Sequence, residues 1–294
     1  MDLQEELITV AAVARRLGVA PSTLRTWDRR YGLGPSAHKA GSHRRYCALD
    51  VARLMLMRRL IATGVSPCDA AERAKTQKNE ESFQEISHEF EVRDELVVAI
   101  YKAAQSFDVE FIECELKRDI AAHGVESTWS MVITPVLVLV GKNWEETGKD
   151  VEVEHLLTEI LKRLLRDCVQ AAQKPTTSRP VLLAAVGEEL HTLALHALAA
   201  ALAARGIETH VLGPRTPLEA ISAMMIRFAP PAIFLWAQLE ENAQAEFFRK
   251  LPAVRPAPRI VLGGPGWDRS SCTGVAVVED LSQACLEIER AVGL

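Results

Sequence analysis

The chain has 294 residues, 48% of them hydrophobic, which is enough for two or three domains with cores of their own. Its net charge is only −5, yet the first 75 residues hold 13 Lys plus Arg against 7 Asp plus Glu, so that segment carries +6 and the remaining 219 residues carry −11. Six scattered cysteines without a C-x-x-C pair argue against a disulfide framework or a cysteine metal cluster. No secretory leader is recognised and no apolar run reaches the ~18 residues of a membrane span, so a cytoplasmic protein with no membrane partner is expected. A basic head on an acidic body fits nucleic acid at one end and a small-molecule or protein role at the other.

The first elements read as helix, tight turn, helix and basic hairpin. Thr9 is placed to cap a short helix whose apolar positions Val10, Val13, Ala14 and Leu17 recur at helical spacing, and Gly18 ends it. Pro21 suits the first turn of a second helix, with Ser22 or Thr23 as caps. That helix runs to about Arg30 and carries Arg25, Thr26, Arg29 and Arg30 around an inward Leu24 and Trp27. Gly32, Gly34 and Pro35 break it, and Gly41 to Tyr46 supplies a turn followed by His43, Arg44 and Arg45 beside an aromatic ring. A second helix of this kind sits in a major groove with its N-terminal side chains at base edges, while guanidinium groups on a hairpin suit phosphates. Ser22, Thr23, Arg25, Thr26, Arg29, Arg30, His43, Arg44, Arg45 and Tyr46 are therefore the candidate contacts to a double-stranded DNA operator. Leu49–Thr63, with Val51, Leu54, Met55 and Arg58 at helical spacing, and a short helix from Pro67 complete this part.

Ile8, Val13 or Val10, Gly18, Val19, Thr23, Leu24, Arg25, Trp27, Asp28 and Arg29, followed by Arg44, Arg45 and Tyr46, resemble the winged-helix head of MerR-type regulators over about residues 1–75. The resemblance implies a transcriptional regulator rather than an enzyme. It also implies a homo-oligomer, dimer or tetramer, because such heads read paired half-sites.

Residues 76–91 are charged and polar, as in a linker with some helical character. From 92 to 173 four amphipathic helices are expected, at roughly 92–105, 108–122, 126–145 and 151–172, with breaks near Ser106, Gly124 and Gly148; short connections make them an antiparallel four-helix bundle. Residues 174–180 form a second linker. The remainder, 181–294, alternates strand and helix: strands at Val181–Val186, Glu208–Leu212, Ala232–Trp236, Arg259–Leu262 and Val275–Val278, and helices at Thr192–Arg205, Pro217–Phe228, Asn242–Leu251 and Leu281–Val292. That alternation predicts a doubly wound parallel sheet of flavodoxin-like type, with ligands beyond the carboxyl ends of the strands where strand order reverses. The fold class is thus multidomain α and α/β.

Directly after the first of these strands come Glu189, His191 and Ala194, in the frame E-x-H-x-x-A. A neutral imidazole on such a loop can ligate a metal, with a carboxylate fixing its tautomer. The frame resembles the D/E-x-H-x-x-G motif of the cobalamin-binding domain found in methionine synthase and in light-responsive MerR-type repressors. The pair Gly263-Gly264 and the segment Ala237-Gln238-Leu239, aligned with that domain's S-x-L, extend the resemblance. So does Trp144, followed after nine residues by Glu154-His155, which is similar to the cap of those repressors. The resemblance implies adenosylcobalamin as cofactor and a response to light. It makes His191 the lower cobalt ligand and puts Trp144, Glu154 and His155 over the upper face. Two positions depart from the motif: Ala194 replaces glycine and Ala237 replaces serine, residues that leave room and a hydrogen bond for the nucleotide tail. Overpacking at Ala194 costs ~1–3 kcal/mol and the lost hydroxyl ~0.5–1.5 kcal/mol, together roughly a hundredfold in affinity. A cobalamin-independent regulator, using the same fold for dimerisation, protein contacts or another ligand, is the alternative.

Overall fold

The computed structural model describes residues 8–17, 19, 21–36, 44–62, 65–76 and 80–294. Gly18, Gly41, His43 and Gly64 lie outside the described residues. By Cα packing the chain divides into two compact units, Met1–Ala103 with Trp129–Thr147, and Ala104–Thr128 with Gly148–Leu294.

In the first unit a two-residue strand β1 (Ile8–Thr9) leads into α1 (Val10–Arg16) and α2 (Pro21–Tyr31). Thr9 Oγ1 accepts from the Ala12 amide at 3.3 Å, the cap its position predicts. Strand β2 (Arg45–Tyr46) then pairs antiparallel with β1, Ile8 opposite Tyr46 and Thr9 opposite Arg45. The wing strand is thus held by the start of the chain, a partner the sequence did not announce. Helices α3 (Ala48–Ala62) and α4 (Pro67–Thr76) close a core of Val13, Leu17, Leu24, Trp27, Tyr46, Leu54, Met55 and Ala70. Asp50, buried at the start of α3, accepts from the amides of Ser36 (3.0 Å) and Cys47 (3.1 Å) and from the Ser36 hydroxyl (3.2 Å), tying the loop after α2 to α3.

Residues expected as linker are helical from Glu80 onward, as the first half of α5 (Glu80–Gln105). The other expected helices follow as α6 (Val109–Thr128), a π-helical turn (Trp129–Ile133), α7 (Thr134–Thr147) and α8 (Val151–Ala171). The break foreseen at Gly124 is real: φ 79° and ψ 164° lie outside the helical region, in the range glycine tolerates. The π-turn and α7 group with the first unit, where Met131 Sδ accepts from Arg58 of α3 (2.8 Å), whereas α6 and α8 group with the second. The segment expected as one four-helix cap is therefore divided between the units. One expectation needs correcting. The helical stretch Val109–Thr147 contains an 18-residue window of mean hydropathy 1.4, long and apolar enough by length and composition to cross a bilayer. Counting uninterrupted apolar residues overlooks it, because Ser130, Thr134 and Pro135 divide the run. Its apolar positions Met131, Val132, Ile133, Val136 and Val140 are buried, whereas Val138 is exposed and 39% of that window is buried in all.

The second unit holds a five-stranded parallel sheet: β3 (Val181–Ala185), β4 (Thr209–Val211), β5 (Ala232–Trp236), β6 (Arg259–Gly263) and β7 (Ala276–Val278), in the order β4-β3-β5-β6-β7. Continuous apolar strands such as fully buried β3 are what a sheet covered on both faces requires. Helices α10 (Leu218–Phe228) and α11 (Ala245–Arg249) cover one face, burying Ile221, Met225 and Phe248 against Leu182, Ala184, Ile233, Leu235 and Leu262. Helices α9 (Leu193–Ala203) and α12 (Leu281–Val292) cover the other, and α6 and α8 pack on α9. Strand order reverses between β3 and β5, so the loops leaving those two strands face one crevice.

Candidate nucleic-acid face and ligand site

Helix α2 buries Leu24 and Trp27 and exposes Ser22, Arg25, Arg29 and Arg30. Ser22, Arg25 and Arg29 fall at i, i+3 and i+7 on one face, with half-buried Thr26 beside them; the Thr26 hydroxyl is turned back onto the Ser22 carbonyl at 3.0 Å. Arg45 is exposed on β2. Arg44 is half-buried: its Nε and Nη2 both lie 3.2 Å from Asp28 Oδ2, which pins the entry of the wing strand to α2. Asp28 is the functional residue missed among the candidate contacts, and its spacing one residue after Trp27 in the motif was the available signal. Gly34 serves the same ion pair, because a Cβ there would run into the Asp28 carboxylate. Gly34→Ala is expected to destabilise the head by about 1–3 kcal/mol through overpacking and to weaken DNA binding as Arg44 loosens; urea unfolding together with DNA titration checks both. Tyr46 corrects an expectation. Its side chain is 0% exposed in the head core, burial raises its pKa, and its hydroxyl finds no partner among the described residues, so it supports the wing from beneath instead of touching DNA.

At the other end of the chain, β3 delivers a loop in which Glu189 is fully buried and His191 stays half exposed. One carboxylate oxygen, Oε1, accepts from the His191 amide (2.9 Å) and from His191 Nδ1 (2.5 Å). The other, Oε2, accepts from the amides of Gln238 (2.8 Å) and Leu239 (3.1 Å) and from Asn242 Nδ2 (3.3 Å). Glu189 therefore joins the loop after β3 to the loop after β5 across the switch point. Burial alone would raise its pKa, but the donated bonds from His191, Leu239 and Gln238 outweigh it and hold the carboxyl at about 2, below the ordinary 4.5. A carboxylate depressed in this way takes up its proton in the unfolded chain first. The stability it contributes is complete above about pH 4.5 and is lost as pH falls toward 2. Acid titration of the unfolding free energy is expected to show that fall, and Glu189→Gln to flatten it.

The remaining candidates are placed as follows. Ala194, in the first turn of α9, is half-buried and Leu239 is exposed. Gly263 and Gly264 need to be glycine for internal reasons: a Cβ on the first would run into the Phe234 ring, and one on the second into the Ala237 carbonyl. Ala237 itself is buried with the α10–α11 core, on the face away from α9. Alternation along β5 puts Phe234 and Trp236 on the α9 side instead, stacked with ring centroids 6.4 Å apart. Trp236 thus lies on the face opposite Ala237, the large side chain on the side that α9 and α12 cover and the small one in the α10–α11 core. Trp144, Glu154 and His155 are exposed; the first belongs to one unit and the other two to the second.

Residues 8–77 match the MerR HTH family regulatory protein profile. The chain is 26% identical over 275 residues to the HTH-type transcriptional repressor CarH of Myxococcus xanthus, covering 90% of this chain and 89% of that one. The head, residues 8–77, is thus of the MerR helix-turn-helix type. The chain is also 24% identical over 264 residues to the HTH-type transcriptional repressor CarA of Myxococcus xanthus, covering 88% and 87% of the two chains. Among solved structures, the monomethylamine corrinoid protein of Methanosarcina barkeri is similar with a TM-score of 0.49 and 15% identity, over 65% of this chain and 96% of that chain. A cobalamin-binding protein from Desulfitobacterium hafniense is similar with a TM-score of 0.33 and 18% identity, over 67% and 98%.

Proposed function

We propose that the regulator binds operator DNA as a homo-oligomer in the cytoplasm and that its second unit receives a corrinoid, whose cobalt His191 Nε2 would hold. The observation that carries this reading is the Glu189–His191 pair. With Nδ1 engaged by a buried carboxylate, Nε2 is the ring nitrogen left to take a metal, on a half-exposed side chain at the switch point of the sheet. A carboxylate hydrogen-bonded to the far nitrogen orients the imidazole and raises its basicity as a ligand. The imidazole and its carboxylate partner fit a cobalt ligand. The nucleotide tail does not, since Phe234 and Trp236 already fill the strand ends on the face that α9 and α12 cover. When bound, the corrinoid supplies a metal with exchangeable axial ligands; with an adenosyl upper ligand, the form the family resemblance implies, it adds a light-sensitive bond. Whatever the form, it regulates only by binding one assembly more tightly than another.

The test is to mix the full-length protein with corrinoids in the dark, remove free cofactor by gel filtration and record the visible spectrum. A retained, shifted spectrum that His191→Ala abolishes supports the reading. Protein that elutes colourless with every corrinoid overturns it. The filled α9 side favours a second reading, in which the second unit is a ligand-free dimerisation or protein-contact module. A colourless protein that still oligomerises and binds duplex DNA is its signature.

A further inference from the structure

Resting on the assignment of His191 as axial ligand, we infer that the second unit is selective for corrinoids lacking the nucleotide loop, because Trp236 and Phe234 already occupy the space that loop would enter. Ala185, Trp236 and Gly263 stand side by side at the carboxyl ends of β3, β5 and β6, in register and on one face. Alanine and glycine on either flank leave a gap between strands, and the Trp236 indole fills it. One step deeper, Phe234 is 3% exposed and its ring lies where a Gly263 side chain would be, stacked on Trp236 at an interplanar angle of 23°. The two rings thus make a continuous apolar wall on the face of the sheet that α9 and α12 cover. The lower base of cobalamin, a benzimidazole, is a flat bicyclic aromatic of about the size of an indole. Trp236 stands in for it, supplied by the chain. The indole Nε1–H is buried without a partner among the described residues, as expected of a ring placed by shape and not by hydrogen bonding.

Intact cobalamin carries its own base on cobalt, and His191 must displace that base and find room for it. Close-packed interiors do not open for a second bicyclic ring without expelling the first. A cobinamide, which ends before the nucleotide, has an open lower face and needs no slot. It meets His191 with no competitor and no clash.

The experiment titrates the full-length regulator, in the dark, with aquocobinamide and separately with aquocobalamin, reading the visible spectrum and the cobalt retained after gel filtration. Wild type is expected to bind cobinamide at least tenfold more tightly than cobalamin, with the cobinamide shift abolished in His191→Ala. Trp236→Ser and the double variant Phe234→Gly with Trp236→Ser are expected to narrow or reverse the preference by admitting the base. Equal or tighter binding of cobalamin by wild type overturns the selectivity while leaving the role of His191 intact. Retention of neither corrinoid overturns both. The wild-type comparison decides even if the variants do not fold.

Discussion

Glu189→Ala is expected to cost the second unit about 3–5 kcal/mol, the penalty for breaking a buried charged network and leaving its donors unsatisfied. Five donors converge on that one carboxylate: the amides of His191, Gln238 and Leu239, the His191 ring and the Asn242 side chain. Alanine leaves two inward-facing amides on the β5 loop with no acceptor and frees the imidazole to rotate. Chemical unfolding followed by circular dichroism measures the loss; a change below about 0.5 kcal/mol would mean the hub is no more than a surface decoration. Glu189→Gln keeps the shape but turns a donor toward amides that already donate. It is expected to fall between wild type and alanine.

The second large effect concerns DNA. Arg25→Ala with Arg29→Ala removes two exposed guanidinium groups one helical turn apart on the outer face of α2. Base-edge interactions are worth about 1–3 kcal/mol each, so the pair should weaken binding by roughly a hundredfold or more. If either arginine touches phosphate instead, the slope of log affinity against log salt falls by about 1 for each phosphate interaction removed. Fluorescence anisotropy with a labelled duplex at several salt concentrations reads both quantities. An unchanged affinity would move the DNA-reading surface off α2. The matching control is Tyr46→Phe: removing a buried hydroxyl that has no partner among the described residues leaves DNA affinity untouched and stability equal or slightly higher.

How much of this was legible in the chain depends on which physical forces act locally. Helices α1 to α4 and the sheet strands follow from apolar periodicity, from capping residues such as Thr9 and from breakers such as Gly32 and Gly124, all of which act within a few residues. The Glu189–His191 pair was legible too, because its partners are two positions apart on one loop. The pairing of β2 with β1 was not, since two-residue strands carry no periodicity and their register is set by a partner 37 or so residues away. The division of the helices 92–173 between two units was equally hidden; amphipathic faces announce that a helix packs but not on what. Tyr46 and Arg44 read as DNA-touching residues from the basic hairpin, yet Tyr46 is core and Arg44 is also paired with Asp28.

By itself, the amino-acid sequence determined that a basic helix-turn-helix head precedes an acidic parallel-sheet domain, and that a histidine with a carboxylate two residues before it stands at the end of the first strand of that sheet. Only the tertiary structure decided what surrounds that histidine. Strands alternate faces with a period of two, so Ala237 packs into the α10–α11 core while Phe234 and Trp236 take the opposite face of the sheet.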